Sequence, residues 1–304
     1  MSWNLLEQAV TRVNKTLVSP AAHKRFFYKY SQKGKSVPIS YFEWGDRANP
    51  TVICMGGIAN SAMRFSLLAK ALKSRFHVVS MDWAGRGDSG WLEELADYTN
   101  EQAVDQLDQL LRSLRKKRVH LIGSSYGGTI AITYSSYFPG RVRSLILNDI
   151  GPEMSASRRK RRSTVLAKHY VFHEFSSLER KVGASQKNDG INDKDLLLFN
   201  AFHLTRWSET EQGRIYKHDP RAMLAYRQYA SKKLDQWRDW ENITHPVLLV
   251  RGMLSDALAE KTVKKMMQKP NISIFKVPNA GHTPSLMSPD QIAAVKTFLN
   301  ELPR

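Results

Sequence analysis

The pentapeptide Gly123-Ser124-Ser125-Tyr126-Gly127 holds a serine between two glycines at a spacing that suits a nucleophile. In a G-x-S-x-G turn the chain leaves a strand, bends sharply at the serine and enters a helix, so the hydroxyl stands clear of the turn. The glycines answer a steric demand, because a serine at positive φ crowds its neighbours and residues without Cβ relieve that crowding. The context agrees: residues 118–122 form a β-like apolar run, and residues 129–138 continue as a helix that stops at Pro139-Gly140. A serine hydroxyl is a weak nucleophile alone. It needs a histidine base, itself oriented by a carboxylate.

These partners are expected downstream in the order acid, then histidine. His245-Pro246-Val247-Leu248-Leu249-Val250-Arg251-Gly252 reads as a buried parallel strand opened by a proline. The loop Met253-Leu254-Ser255-Asp256 follows and puts Asp256 just past the strand's carboxyl end. The next apolar run, Ile272 to Val277, leads into Pro278-Asn279-Ala280-Gly281-His282. Residues beyond the carboxyl ends of parallel strands gather at one edge, where ligands bind. Ser125, Asp256 and His282 are therefore the expected catalytic set. An oxyanion formed on the substrate needs two backbone donors. Tyr126, one residue after the serine, supplies one; Ile58, or else Gly57, supplies the other from the turn Gly56-Gly57-Ile58 after the strand-like run 51–55.

With these residues in place the chain resembles the α/β-hydrolase superfamily over nearly its whole length, and more narrowly the capped bacterial serine esterases. Met81-Asp82-Trp83-Ala84-Gly85-Arg86-Gly87-Asp88-Ser89 is similar to that family's D-x-x-G-x-G-x-S turn, and Asn148-Asp149 falls where its sixth strand ends. The resemblance implies acyl chemistry on a serine. It also supplies a second candidate acid, Asp149, because some folds of this type place the carboxylate after the sixth strand; Asp256 is the preferred choice. One departure is Gly56-Gly57, where many members carry His-Gly.

Positioning these residues requires a sheet. Strand-like runs at 26–31, 39–44, 51–55, 77–82, 118–123, 144–149, 246–252 and 272–277 alternate with helical patterns. That alternation predicts an α/β fold with a mostly parallel, eight-stranded sheet flanked by helices. One helix opens on Thr99 and Gln102 at capping-box spacing and another on Ser288-Pro289. Residues 154–242 interrupt the pattern and are expected to form a helical cap over the strand ends, leaving 23–153 and 243–304 as the core. The cap carries Phe199, Phe202, Trp207, Tyr216, Met223, Tyr226, Trp237 and Trp240, some for its own core and some facing the site. Residues 1–22 are expected to form a helical extension. Within it Trp3, Leu6, Val10, Val13 and Leu17 recur at helical spacing, predicting an amphipathic helix over 2–18 that packs on the domain or lies on lipid.

Composition narrows the setting. The 304 residues suffice for one large domain plus an insertion. The single cysteine, Cys54, offers no disulfide framework, the first residues lack a secretory pattern, and no run approaches a membrane span, so the expected location is cytoplasmic or peripheral at a membrane. No His/Cys/Asp grouping has metal-ligand spacing, and neither cofactor nor metal is expected. The net charge of +18 is unexplained by ester chemistry. Basic clusters at 112–118, 158–162 and 261–265 read as solvated surface, with contact to anionic membrane as the alternative. The basic-aromatic stretch His23 to Lys35 suits an edge strand better than a nucleic-acid surface, so no nucleic-acid partner is expected. The expected activity is hydrolysis of a small ester with an apolar or lipid-like acyl group. Alternatives are acyl transfer, C–C bond or peptide hydrolysis by the same triad, and a non-catalytic binding role.

Overall fold

The computed structural model describes residues 3–17, 22–30, 34–186 and 189–303. Residues 2 and 18 of the expected first helix, residue 31 of the first expected strand and Lys33 lie outside the described residues.

Helix α1 (Asn4–Leu17) precedes strands β1 (Ala22–Tyr30), β2 (Lys35–Trp44) and β3 (Thr51–Met55). Helix α2 (Ser66–Leu72), β4 (His77–Met81), α3 (Asn100–Ser113), β5 (Val119–Ser124), α4 (Tyr126–Tyr137) and β6 (Val142–Asn148) follow. An insertion then runs from β7 (Glu153–Met154) through α5 (Ala156–Leu166), β8 (Val171–Phe172), α6 (Phe175–Gln186) and α7 (Lys194–Leu204). It continues through β9 (Thr205–Ser208), β10 (Gly213–Tyr216) and α8 (Pro220–Tyr229) to β11 (Leu234–Asp235). After α9 (Trp237–Glu241) come β12 (Val247–Gly252), α10 (Glu260–Met266), β13 (Ile272–Val277) and α11 (Pro289–Glu301).

Eight strands make the central sheet in the order β1-β2-β4-β3-β5-β6-β12-β13. Pairing is antiparallel at β1–β2 and β2–β4 and parallel from β4 to β13. Every residue of β3, β4, β5 and β12 is buried, as strands covered on both faces must be. Alternation divides their side chains between two cores. Ile53, Val79, Leu121, Leu145 and Leu249 pack on one face, and Val52, Val78, Ile122, Ile146 and Val250 on the other. Truncating one such side chain, Ile122→Ala for example, costs about 2–5 kcal/mol.

The edge strand β1 turns Phe26, Tyr28 and Tyr30 inward and leaves Arg25, Phe27 and Lys29 outside. Three of the four aromatics in the basic-aromatic stretch are thus core, and Phe27 alone of them is exposed. Helix α1 likewise spends its apolar stripe on protein. Leu6 and Ala9 pack with Phe175, Leu178 and Leu198, while Val13 and Leu17 pack with Phe65 and Leu68. Arg12 clamps Asp195 of α7 through two bonds of 2.6 and 2.7 Å. Among the described residues no helix is long and apolar enough to cross a membrane.

The insertion carries helices α5 to α8, as expected, and adds short strands that the sequence did not suggest. Its ends are joined by the antiparallel β7–β11 pair, and β8, β10 and β9 form a small antiparallel sheet of their own. Strands of two to four residues are too short for alternation to reveal. The expected boundary at 242 also falls past α9, which packs on α4 of the core.

Candidate active site

Ser125 sits between β5 and α4 with φ 49° and ψ −111°. The turn is possible because of what surrounds it. A Cβ on Gly127 would lie 2.2 Å from the Met55 carbonyl oxygen, and one on Gly123 would lie 2.5 Å from the Gly128 Cα. The serine Oγ is 2.9 Å from Nε2 of His282. Six non-glycine residues among those described have positive φ, and four of them, Ser125, Asp149, Thr283 and Leu286, are in or beside this site. Strain of this kind persists only where surrounding structure enforces it.

The carboxylate facing the imidazole is Asp149. Its Oδ2 lies 2.9 Å from His282 Nδ1, and Asp149 is fully buried. The Gly252 N–H donates to its other oxygen at 3.1 Å, and the Ser255 hydroxyl donates to Oδ2. Asp256, the expected acid, is corrected by this geometry. Its side chain is 57% exposed and pairs with Arg158, at 3.2 Å, and Arg161. Burial alone would raise its pKa, but the two arginines hold it below the ordinary carboxylate value.

Sheet order explains the exchange. β6 lies between β5 and β12, so Asp149 stands one strand from Ser125. The histidine loop crosses the end of β12 so closely that a Cβ on Gly252 would fall 2.0 Å from the Gly281 carbonyl oxygen. That crossing sets His282 above Asp149. The loop after Gly252 runs outward, with Leu254 64% exposed, and carries Asp256 away. Further bonds brace the histidine loop: Asn148 donates to the Pro284 carbonyl at 2.8 Å, and Arg64, ion-paired with Asp189 at 2.9 Å, donates to the Thr283 carbonyl at 3.2 Å. Burial pushes the His282 pKa below its ordinary value; Asp149 pulls it up, while Arg158 and Arg162 push it further down.

The turn at Gly56 to Asn60 comes beside the serine, with a Cβ on Gly57 falling 3.6 Å from Ser125 Cβ. The Gly57 carbonyl accepts from the Asn60 N–H at 3.1 Å. In a planar trans peptide the Ile58 N–H then points the opposite way. Trp83 donates to the Gly56 carbonyl at 3.1 Å, and the buried Arg86 donates to the Ile58 carbonyl at 3.2 Å. These side chains hold the turn without the histidine common at this position. As a first-turn residue of α4, Tyr126 has no intrahelical acceptor for its N–H. Asp82 of the Gly-rich turn is buried, accepts from the Ala62 and Asp88 N–H groups, and has its pKa pushed up to about 7 by burial.

Ser125 opens on two lobes. A narrow one of about 40 Å³ is lined by Ile58, Tyr126, Ile150, Met154, Ala222 and Tyr226 among others. A large one of about 710 Å³ lies under the insertion and includes His282. Of the cap's aromatic and apolar residues singled out in the sequence, Tyr216 and Tyr226 line the large lobe, Phe199, Met223 and Trp240 are core, and Trp207 is 40% exposed. Among the described residues no group of three or more His, Cys, Asp or Glu side chains is placed to hold a metal ion.

A mostly parallel sheet, a strained serine at a strand-to-helix turn and a histidine loop after the last strand define the class as an α/β hydrolase. The chain belongs to the family described as alpha/beta hydrolase fold, whose profile matches residues 49–289. It is 33% identical to a 3-hydroxybutyrate-oligomer hydrolase of Cupriavidus necator over 86% of this chain and 92% of that protein. Among solved structures, a putative hydrolase from Rickettsia typhi superposes with a TM-score of 0.85 at 22% identity, covering 94% of this chain and all of that one. An α/β hydrolase from Novosphingobium aromaticivorans gives 0.82 at 26% identity, covering 93% and 99%.

Proposed function

We propose that the protein hydrolyses short carboxylic esters through an acyl-enzyme on Ser125. One observation carries the reading: Ser125 Oγ, His282 and Asp149 form a continuous hydrogen-bonded relay with both links at 2.9 Å. His282 takes the serine proton as Oγ attacks the ester carbonyl, and Asp149 holds the imidazole and steadies its charged form. The N–H groups of Tyr126 and Ile58 receive the oxyanion. His282 then protonates the leaving alcohol and later activates water. The narrow lobe favours a small acyl group over the longer, lipid-like chain that the sequence left open. The name of the C. necator relative makes short oligoesters of 3-hydroxybutyrate the first substrates to try. Reaction with a fluorophosphonate, localised to Ser125, together with a nitrophenyl-ester chain-length panel tests the reading. An unlabelled folded protein that turns over no ester overturns it.

A further inference from the structure

Helix α5 reverses the usual arrangement of a surface helix. Arg158, Arg161, Arg162, Val165 and Leu166 fall on one face at spacings of three and four, and that face lines the large lobe. Lys160 lies on the other side of the helix and is exposed. The basic cluster read as solvated surface is therefore in part a wall of the active-site cavity.

The charges on that wall are not equally committed. Five cationic and two anionic side chains line the lobe. Arg64 is tied to Asp189, and Arg158 and Arg161 share Asp256. Lys181 stands over the Tyr170 ring at 4.0 Å. The Arg162 guanidinium has neither a carboxylate nor a hydrogen-bond acceptor among the described residues, and Lys181 likewise has no carboxylate partner. The Arg162 side chain is exposed to solvent in the cavity wall, while the surrounding protein, and then Arg158, lower its pKa. A guanidinium in a cavity wall without an anion of its own is open to one, and its planar fork fits a carboxylate. With five cations against two carboxylates the lobe keeps a net positive charge, which suits an anionic substrate group.

The lobes also differ in which end of the ester they serve. His282 lines only the large lobe, whereas Tyr126 lines only the narrow one. The group that protonates the leaving oxygen thus faces the arginines, and one oxyanion donor, Tyr126, faces the narrow lobe, while Ile58 borders both. We infer that the substrate is an ester whose alcohol half carries a carboxylate, bound by Arg162 in the large lobe while its acyl half fills the narrow lobe. This rests on the ester-hydrolase reading. In the reaction Ser125 Oγ bonds to the carbonyl carbon and its proton passes to His282 Nε2. The carbon–oxygen bond to the alcohol half breaks, that oxygen takes the proton, and a hydroxy acid leaves. Water then cleaves the acyl-serine. On an oligoester of a hydroxy acid, which ends in one free carboxylate, cleavage starts from that end.

The test pairs 3-acetoxybutyrate with its methyl ester, which differ in one charge. In the wild type, kcat/KM favours the acid. In Arg162→Gln the acid-to-methyl-ester ratio falls about 10- to 100-fold, as loss of a hydrogen bond to a charged group requires, and Arg162→Lys recovers part of it. Lys160→Gln removes the same charge from the opposite face and leaves the ratio alone. Binding of 3-acetoxybutyrate to Ser125→Ala protein, with and without Arg162→Gln, reads the anion site independently of turnover. Equal effects of Arg162→Gln and Lys160→Gln overturn the inference, as does Arg162-dependent binding of acetyl-coenzyme A in place of 3-acetoxybutyrate. Turnover of the methyl ester without preference for the acid sinks the inference and leaves the hydrolase reading. Arg162-dependent binding with neither ester cleaved does the opposite.

Discussion

Asp149 and Asp256 stand past the ends of adjacent parallel strands, β6 and β12, and their surroundings could hardly differ more. Asp149 is fully buried, held at φ 52° and surrounded by donors. Asp256 is half in solvent and held by cap arginines. Position at the carboxyl edge of a sheet is thus insufficient for an acid to serve a histidine. The acid must also lie under the loop that brings the histidine in. The loop after β12 still contributes, because the Gly252 N–H and the Ser255 hydroxyl both orient Asp149.

The largest expected effect removes what either carboxylate would serve. Ser125→Ala should lower kcat by roughly 10⁶-fold in a folded protein, while Ser124→Ala, whose hydroxyl accepts a bond from Asn148, should lower it far less. Asp149→Asn should cost about 10⁴-fold in kcat through the wrong imidazole tautomer. Asp256→Asn should cost under about fivefold, the scale of an exposed ion pair, and that small effect should fade with added salt. Kinetics of both variants at matched folded fraction would break the comparison if their order were reversed. Ser255→Ala removes one bond to the buried carboxylate and should reduce kcat about tenfold or somewhat more.

The pH profile sharpens the same contrast. His282 must be neutral to accept the serine proton. Its pKa is depressed, chiefly by burial, so the imidazole stays neutral below its ordinary value of 6.5, and kcat/KM should fall only as pH drops through the lower value. Since Arg162 pushes that pKa down, Arg162→Gln should move the acid limb of the profile upward. An acid limb at or above 6.5 in the wild type would contradict the burial seen here.

The strand-to-helix turn at Ser125, the placement of His282 on the loop after the last strand and all eight strands of the main sheet were legible in the sequence. Each rests on a local signal: a glycine-bracketed serine, a Gly-His after an apolar run, apolar runs of strand length. The acid was not, because Asn148-Asp149 and Ser255-Asp256 are equivalent as text, each a carboxylate at the end of a buried run. The short cap strands fell below the length at which alternation means anything. The role of the arginines was hidden for a related reason. A helical stripe of Arg158, Arg161 and Arg162 reads identically whether it meets water or a cavity.

Period, glycine placement and residue chemistry act through neighbours a few positions away, so the sequence determined the sheet, the strained turn at Ser125 and the loop that carries His282. Which carboxylate lies beneath His282 depends instead on the lateral order of β5, β6 and β12 and on a loop from β13 crossing Gly252. Those contacts join residues from 24 to more than a hundred positions apart, and no local pattern encodes them. The direction in which α5 faces is fixed in the same way, by the β7–β11 pair that closes the insertion over the strand ends.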